Sequence, residues 1–149
     1  MANTIVVGYD GSGTAKAALT QAIDLAKDMP DAEIVITCGH DRTPGWLGYE
    51  PMWKAAMEME KLWDEMEEKI VADLETAAET VRAAGLQAAT ACSRGNPAAI
   101  VVGVAKETGA RMIVVGARGA GTTEESTTLG STTTELLHTA RVPVLVVPV

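Results

Sequence analysis

Thr4-Ile5-Val6-Val7-Gly8-Tyr9-Asp10-Gly11-Ser12-Gly13 is the stretch on which the fold turns. A β-branched apolar run, Thr4 to Tyr9, stops at a cluster of turn residues, which reads as a strand followed by a loop. The pattern then changes period. From Thr14 to Met29 the apolar residues Ala18, Ala22, Ile23, Leu25 and Ala26 keep helical spacing, with Ser12 or Thr14 as the amino-terminal cap and Pro30 as the stop. Strand, glycine turn and helix in that order open a β-α-β unit.

The alternation continues to the end of the chain. Glu33 to His40 is apolar and β-branched again, and a strand buried on both faces need not alternate with polar residues. Asp41 to Met52 holds Pro44, Gly45, Gly48 and Pro51 together with Trp46 and Tyr49, a loop composition able to cover something. Trp53 to Ala84 predicts a long helix, with Met59, Leu62, Trp63, Met66, Ile70, Leu74, Ala77 and Val81 forming one stripe that packs on a sheet. Leu86 to Cys92 predicts strand three, and Asn96 to Thr108 a helix with Pro97 in its first turn and Gly109 at its close. Met112 to Val115, Ser131 to Thr139 and the run from Val142 to Val149 complete the set as strand, helix and strand. Strands alternating with helices in this way imply one α/β domain over residues 1–149, a Rossmann-like, doubly wound, five-stranded parallel sheet with helices on both faces.

Composition narrows the partners. A net charge of -8 repels a polyanion, and the absence of Phe beside three Trp and two Tyr leaves little for stacking on bases, so nucleic acid is excluded as a partner. A mononucleotide held by local amides is not. No run approaches the roughly 20 apolar residues of a membrane span, and the amino terminus has no basic leader, which implies a soluble, cytoplasmic protein away from membranes. Cys38 and Cys92 fall inside separate apolar runs and read as core residues rather than as a metal or disulfide framework. His40 and His138 lack partners at ligand spacing, so no metal site is expected; His138 sits near a helix end, and His40 is placed to line a pocket.

In an open parallel sheet, ligands bind beyond the carboxyl ends of the strands, where the connections reverse direction. Those ends carry Gly8-Tyr9-Asp10-Gly11-Ser12, Gly39-His40-Asp41 and Val115-Gly116-Ala117-Arg118-Gly119. Gly130-Ser131-Thr132-Thr133 then opens the last helix. Glycines allow close approach of backbone to an anion, and the first amides and hydroxyls of that helix can hold its oxygens, with Arg118 adding positive charge. The spacing is neither a Walker loop nor the dinucleotide fingerprint. Asp10 can be a turn former or a partner for a ribose hydroxyl. No nucleophile, base and orienting group come together in any motif, so no catalytic residue is assigned.

Five separated segments then agree on one family. Ile5-Val6-Val7-Gly8-Tyr9-Asp10-Gly11-Ser12, Gly95-Asn96-Pro97, Ile113-Val114-Val115-Gly116-Ala117-Arg118-Gly119, Leu129-Gly130-Ser131 and Val142-Pro143-Val144-Leu145-Val146-Val147 resemble the universal stress proteins, in order and along the whole chain. That resemblance implies an adenine-nucleotide α-hydrolase-like fold and a site for ATP or another adenine nucleotide, with Mg2+ accompanying it. By resemblance the ribose falls to Asp10, the adenine to Gly39 and His40, and the phosphates to Gly116, Gly119, Gly130 and Ser131. It also implies a homodimer formed through Val142 to Val147, since an apolar edge strand is otherwise left unpaired.

The sequence departs from the family in one loop. The family's ATP motif is similar to Gly, two residues, Gly, nine residues, Gly, then Ser or Thr, whereas ten residues separate Gly119 from Gly130 here. The same loop carries Glu124 and Glu125 and no Lys, opposing the charge of Arg118. Three readings follow: a nucleotide-binding stress sensor, a dimeric interaction protein of the non-binding branch, and a slow ATPase in which Asp10 helps position a metal.

Overall fold

Four crossovers of one hand determine where every helix lies. A computed structural model describes residues 3–40, 52–118 and 128–148. It contains β1 (Asn3–Gly8), α1 (Gly13–Ala26), β2 (Ala32–His40), α2 (Met52–Ala83), β3 (Gln87–Arg94), α3 (Pro97–Thr108), β4 (Met112–Gly116), α4 (Ser131–Thr139) and β5 (Val144–Val147). All neighbouring strands pair in parallel, in the order β3-β2-β1-β4-β5. The doubly wound five-stranded sheet expected from the sequence is the sheet observed. The chain steps one way from β1 to β3, then returns across the sheet to β4 and β5. With right-handed crossovers, the first two helices must cover one face and the last two the other.

The core follows that division. Ile5, Val7, Ile34, Ile36 and Val114 face α1 and α2, where Leu19, Ala22, Leu74, Ala78 and Val81 meet them. Val6, Val35, Ile113 and Val115 face α3 and α4, against Ala98, Val101, Ala105 and Leu136. Successive strand residues thus enter opposite layers, so the central strands are apolar without alternation.

Local signals set most boundaries. Ser12 caps α1 by accepting from the Ala15 amide at 3.2 Å, and Asn96 caps α3 by accepting from Ala99 at 2.9 Å, with Pro97 next. Helix α1 ends at Ala26 and not at Met29, because the residue before Pro30 is disfavoured in the helical region; Met29 turns back to Ala26, and Asp31 takes a φ of 53°. Strand β3 runs on to Arg94, whose guanidinium lies 5.2 Å from the Trp63 ring centroid and reaches Asp64 and Glu67. Strand β5 is shorter than its apolar run, because Pro143 and Pro148, without amide hydrogens, bracket the ladder. At the entry to β4, far from the strands' carboxyl ends, Arg111 donates to Asn3 at 2.8 Å.

Helix α2 is the main correction. Its 32 residues span about 48 Å, whereas the strands it packs on, β2 and β3, have nine and eight residues and span only about 30 and 26 Å. Of its apolar stripe only Leu74, Ala77 and Val81 are buried, with Ala78 beside them; Met59, Leu62, Trp63, Met66 and Ile70 are half-buried, on the part that overhangs the carboxyl end of the sheet. The expected covering loop with Trp46 and Tyr49 lies outside the described residues.

Adjacent leucines in α4 test the layer assignment. Leu136 is fully buried and Leu137 is 50% exposed. Urea unfolding should show Leu136→Ala losing about 2–5 kcal/mol and Leu137→Ala changing stability by no more than about 0.5 kcal/mol. Similar losses at both positions would contradict the packing of α4 on the sheet.

Candidate ligand site at the switch point

Between β1 and β4 the sheet changes direction. The chain leaves β1 toward α1 on one face and β4 toward α4 on the other, so the two loops diverge and leave a crevice. A cavity of about 310 Å³ opens there. Gly8, Tyr9 and Asp10 form one wall, Gly39 adjoins at the end of β2, and Val115, Gly116 and Arg118 come from β4 and its loop. Gly130, Ser131, Thr132 and Thr133 bring in the start of α4. Eleven of the fourteen residues expected from the sequence therefore meet around one space.

The other three are placed differently. Ser12 is outside the lining; it caps α1 and shares a 3.0 Å hydrogen bond with Thr14. His40 is placed by its backbone alone, at the end of β2 in register with Arg94. Gly119 lies outside the described residues, as do Glu124 and Glu125.

The cavity also has walls that the sequence did not single out. Thr14 and Ala15 come from the first turn of α1, Thr37 and Cys38 from β2, Pro97 and Val101 from α3, and Met66 and Ile70 from the overhanging part of α2. Met66, Ile70, Pro97 and Val101 make this side apolar, a slot for a flat or aliphatic group. In the sequence Thr14 reads only as a cap, and the α2 residues only as core.

Hydrogen bonds tie the diverging loops together. The Ser12 amide donates to Asp10 Oδ1 at 2.9 Å, Ser12 and Thr14 share their hydroxyl bond, and the Thr14 hydroxyl donates to the Arg118 carbonyl. Asp10 is thus a turn former and a cavity-lining carboxylate at once. Thr133 Oγ1 donates to the Gly116 carbonyl at 2.8 Å, and the Gly130 amide to the Ala117 carbonyl at 2.8 Å, which seats α4 against the end of β4. Gly130 caps α4 with no side-chain bond, so the amides of Ser131 and Thr132 open the helix without an acceptor inside it.

Charge is divided across the cavity. Burial, then Asp73 and then Asp10, pushes the Tyr9 phenol above its ordinary value, so at neutral pH it stays protonated and can donate. Burial pushes the Cys38 thiol up to about 11, with Cys92, Asp10 and Asp73 adding to it. Arg118 and the start of α4 make the facing side positive. The Thr37 hydroxyl is fully buried in the floor and has no hydrogen-bond partner among the described residues. A second, apolar hollow of about 640 Å³ lies at the opposite end of the sheet, between Val102, Ile113 and Val142, with neither glycine turn nor helix amino terminus.

Two glycines are required by close approach. A Cβ on Gly116 would lie 2.8 Å from Thr14 Cβ and 2.9 Å from the Thr14 carbonyl carbon, and one on Gly39 would lie 2.8 Å from Pro97 Cα. These absent side chains let α1 and α3 close against the strand ends.

A doubly wound parallel sheet whose switch point opens onto a helix amino terminus defines a class of open α/β ligand-binding domains. Within that class the chain belongs to the universal stress protein family, whose model it matches over residues 1–148. It is similar to universal stress protein YxiE of Bacillus subtilis (strain 168), at 30% identity over 150 residues and 99% of both chains. The hypothetical protein MJ0577 shares the fold with a TM-score of 0.84 at 23% identity, over 99% of this chain and 96% of that one. A universal stress protein solved in complex with cAMP superimposes with a TM-score of 0.67 at 25% identity, over 98% and 96% of the two chains.

The close approach at Gly39 can be measured. Gly39→Ala should lower stability by about 1–3 kcal/mol as the first turn of α3 is pushed away. Gly13→Ala, where a Cβ meets nothing within 4 Å, should be neutral or stabilising by up to about 1 kcal/mol. Thermal or urea unfolding of the two variants checks the contrast, and equal effects would contradict it.

Proposed function

We infer that the chain binds an adenine nucleotide in this cavity and works as a stress-response regulator whose occupancy alters its partner surface. The observation that carries the reading is the uncapped start of α4 facing Asp10 across a cavity of about 310 Å³ with an apolar side. The ribose goes to Asp10, beside Gly8 and Tyr9. The adenine lies by Gly39 at the end of β2, between the apolar residues of α2 and α3. The phosphates lie over Gly116, Gly130, Ser131 and Thr132, near Arg118. The relative bound to cAMP, matched over nearly its whole length, supports an adenine ligand.

Mg2+ fits only as a companion of the phosphates. Among the described residues no three His, Cys, Asp or Glu side chains gather into a metal site, so the ion would take its ligands from phosphate oxygens and water, with Asp10 the carboxylate at hand. Among the described residues no nucleophile and base are paired at the cavity, and the reading assigns no catalytic residue.

Titration calorimetry of ATP into nucleotide-stripped protein, with Gly130→Val beside it, tests the reading. Saturable binding should appear, and the valine, set where backbone must approach phosphate, should abolish it. The absence of heat at millimolar ATP would overturn the nucleotide reading and leave the interaction protein.

The reading includes a homodimer through Val142 to Val147. Strand β5 is an edge of the sheet. The carbonyls of Pro143 and Val147 accept from Ile113 and Ala117, so by alternation the amides of Val144 and Val146 turn to the open edge. Val146→Pro removes an outward donor and leaves the β4 ladder intact. It should convert a dimer into a folded monomer in light scattering with unchanged circular dichroism; a dimer that survives would overturn the β5 interface.

A further inference from the structure

Cys38 and Cys92, remote in sequence, are direct partners in the ladder between β2 and β3. Partner residues on neighbouring parallel strands point to the same face, with Cα atoms about 4.8 Å apart. Both side chains pack against the same core layer, the one covered by α1 and α2, and both are only partly buried. A disulfide requires Cα atoms roughly 4.4–6.8 Å apart, so the backbone spacing of the pair falls inside the range for a bond. The two thiols differ in setting. Cys38 lies on an inner strand in the cavity wall, its Sγ 3.7 Å from the Gly39 carbonyl, whereas Cys92 lies on the edge strand near the surface.

We propose that Cys38 and Cys92 form a dithiol site that hydrogen peroxide oxidises to an intramolecular disulfide joining β2 and β3. The Cys92 thiolate attacks one peroxide oxygen, the O–O bond breaks, and hydroxide leaves to be protonated to water. Cys92 is then a sulfenic acid. The Cys38 sulfur attacks the Cys92 sulfur, the S–S bond forms, the S–OH bond breaks, and the departing hydroxide takes the Cys38 proton as a second water. Two thiols and one peroxide have become one disulfide and two waters.

The geometry also sets the character of the bond. Disulfide Cβ atoms prefer about 3.8 Å, closer than the spacing of the strands, so β2 and β3 must pinch together. The strained bond is easily reduced, which makes the site reversible rather than structural. Closure draws the Cys38 sulfur away from the cavity wall. Burial and neighbouring acids raise both thiols above their ordinary value, so the thiolate is scarce at neutral pH and oxidation accelerates by about tenfold per pH unit between pH 7 and 8.

The test uses the full chain, reduced and freed of reductant, treated with hydrogen peroxide and then alkylated with N-ethylmaleimide under denaturing conditions. The expected product takes up no maleimide, runs as a monomer on a non-reducing gel, and yields tryptic peptide 28–42 joined to peptide 83–94. Dithiothreitol should restore both alkylation sites. Cys38→Ser should leave Cys92 as a sulfenic acid that dimedone traps, and Cys92→Ser should slow oxidation of Cys38 at least tenfold. Full alkylation of both thiols after peroxide would overturn the proposal. So would disulfide-linked dimers, or over-oxidation of one cysteine while the other stays free, in the unsubstituted chain.

Discussion

The constraint on which the rest depends is the handedness of the crossovers acting on a strand order that reverses beside β1. Given the order β3-β2-β1-β4-β5, β1 must send its chain to one face and β4 to the other. Nothing can fill the gap between the two departing loops with regular structure. The gap is instead bridged by polar bonds running from Asp10 through Ser12 and Thr14 to the Arg118 carbonyl. The cavity is therefore a by-product of topology, held at a fixed width by a few short side chains. Gly116 belongs to the same device, because any side chain there would drive the first turn of α1 away from β4.

Most of this fold was legible in the sequence because its strands are short apolar runs ended by glycine turns. Ile5 to Val7, Ile34 to Ile36 and Ile113 to Val115 can be buried on both faces only in a parallel sheet covered on both sides. Helix ends were less legible. Helix α1 ends three residues before Met29 because Pro30 restricts the residues before it as well as itself. The stripe on α2 has one period from end to end, yet its sheet partner runs out before the helix does. Periodicity reports which face is apolar; it does not report how much of that face has something to pack on.

The site divides along the same line. Residues at the ends of strands, Gly8 to Asp10 and Val115 to Arg118, could be placed together because position along the chain implies position at one edge of the sheet. Met66, Ile70 and Val101 could not, because their place in the cavity follows from helix length and packing rather than from any motif. Cys38 and Cys92 are the clearest case. Each reads as a small core residue in its own strand, and only the register between β2 and β3 makes them neighbours.

An acidic chain with a site suited to an anion is no contradiction once the field is taken locally. Exposed charges are screened within about 8 Å at physiological salt, so the total of -8 says little about the cavity floor. There the charges are sorted: burial, then Asp73 and Asp10, keeps the Tyr9 phenol protonated on one side, while Arg118 and the open amides of α4 stand on the other. A ligand with hydroxyls at one point and negative charge at another then has one favourable orientation, since reversing it would set its anion against the Asp10 carboxylate. On the proposed reading, the acidic wall contributes orientation and the helix terminus contributes attraction. The apolar slot between α2 and α3 fixes the third point needed to hold a nucleoside in one pose.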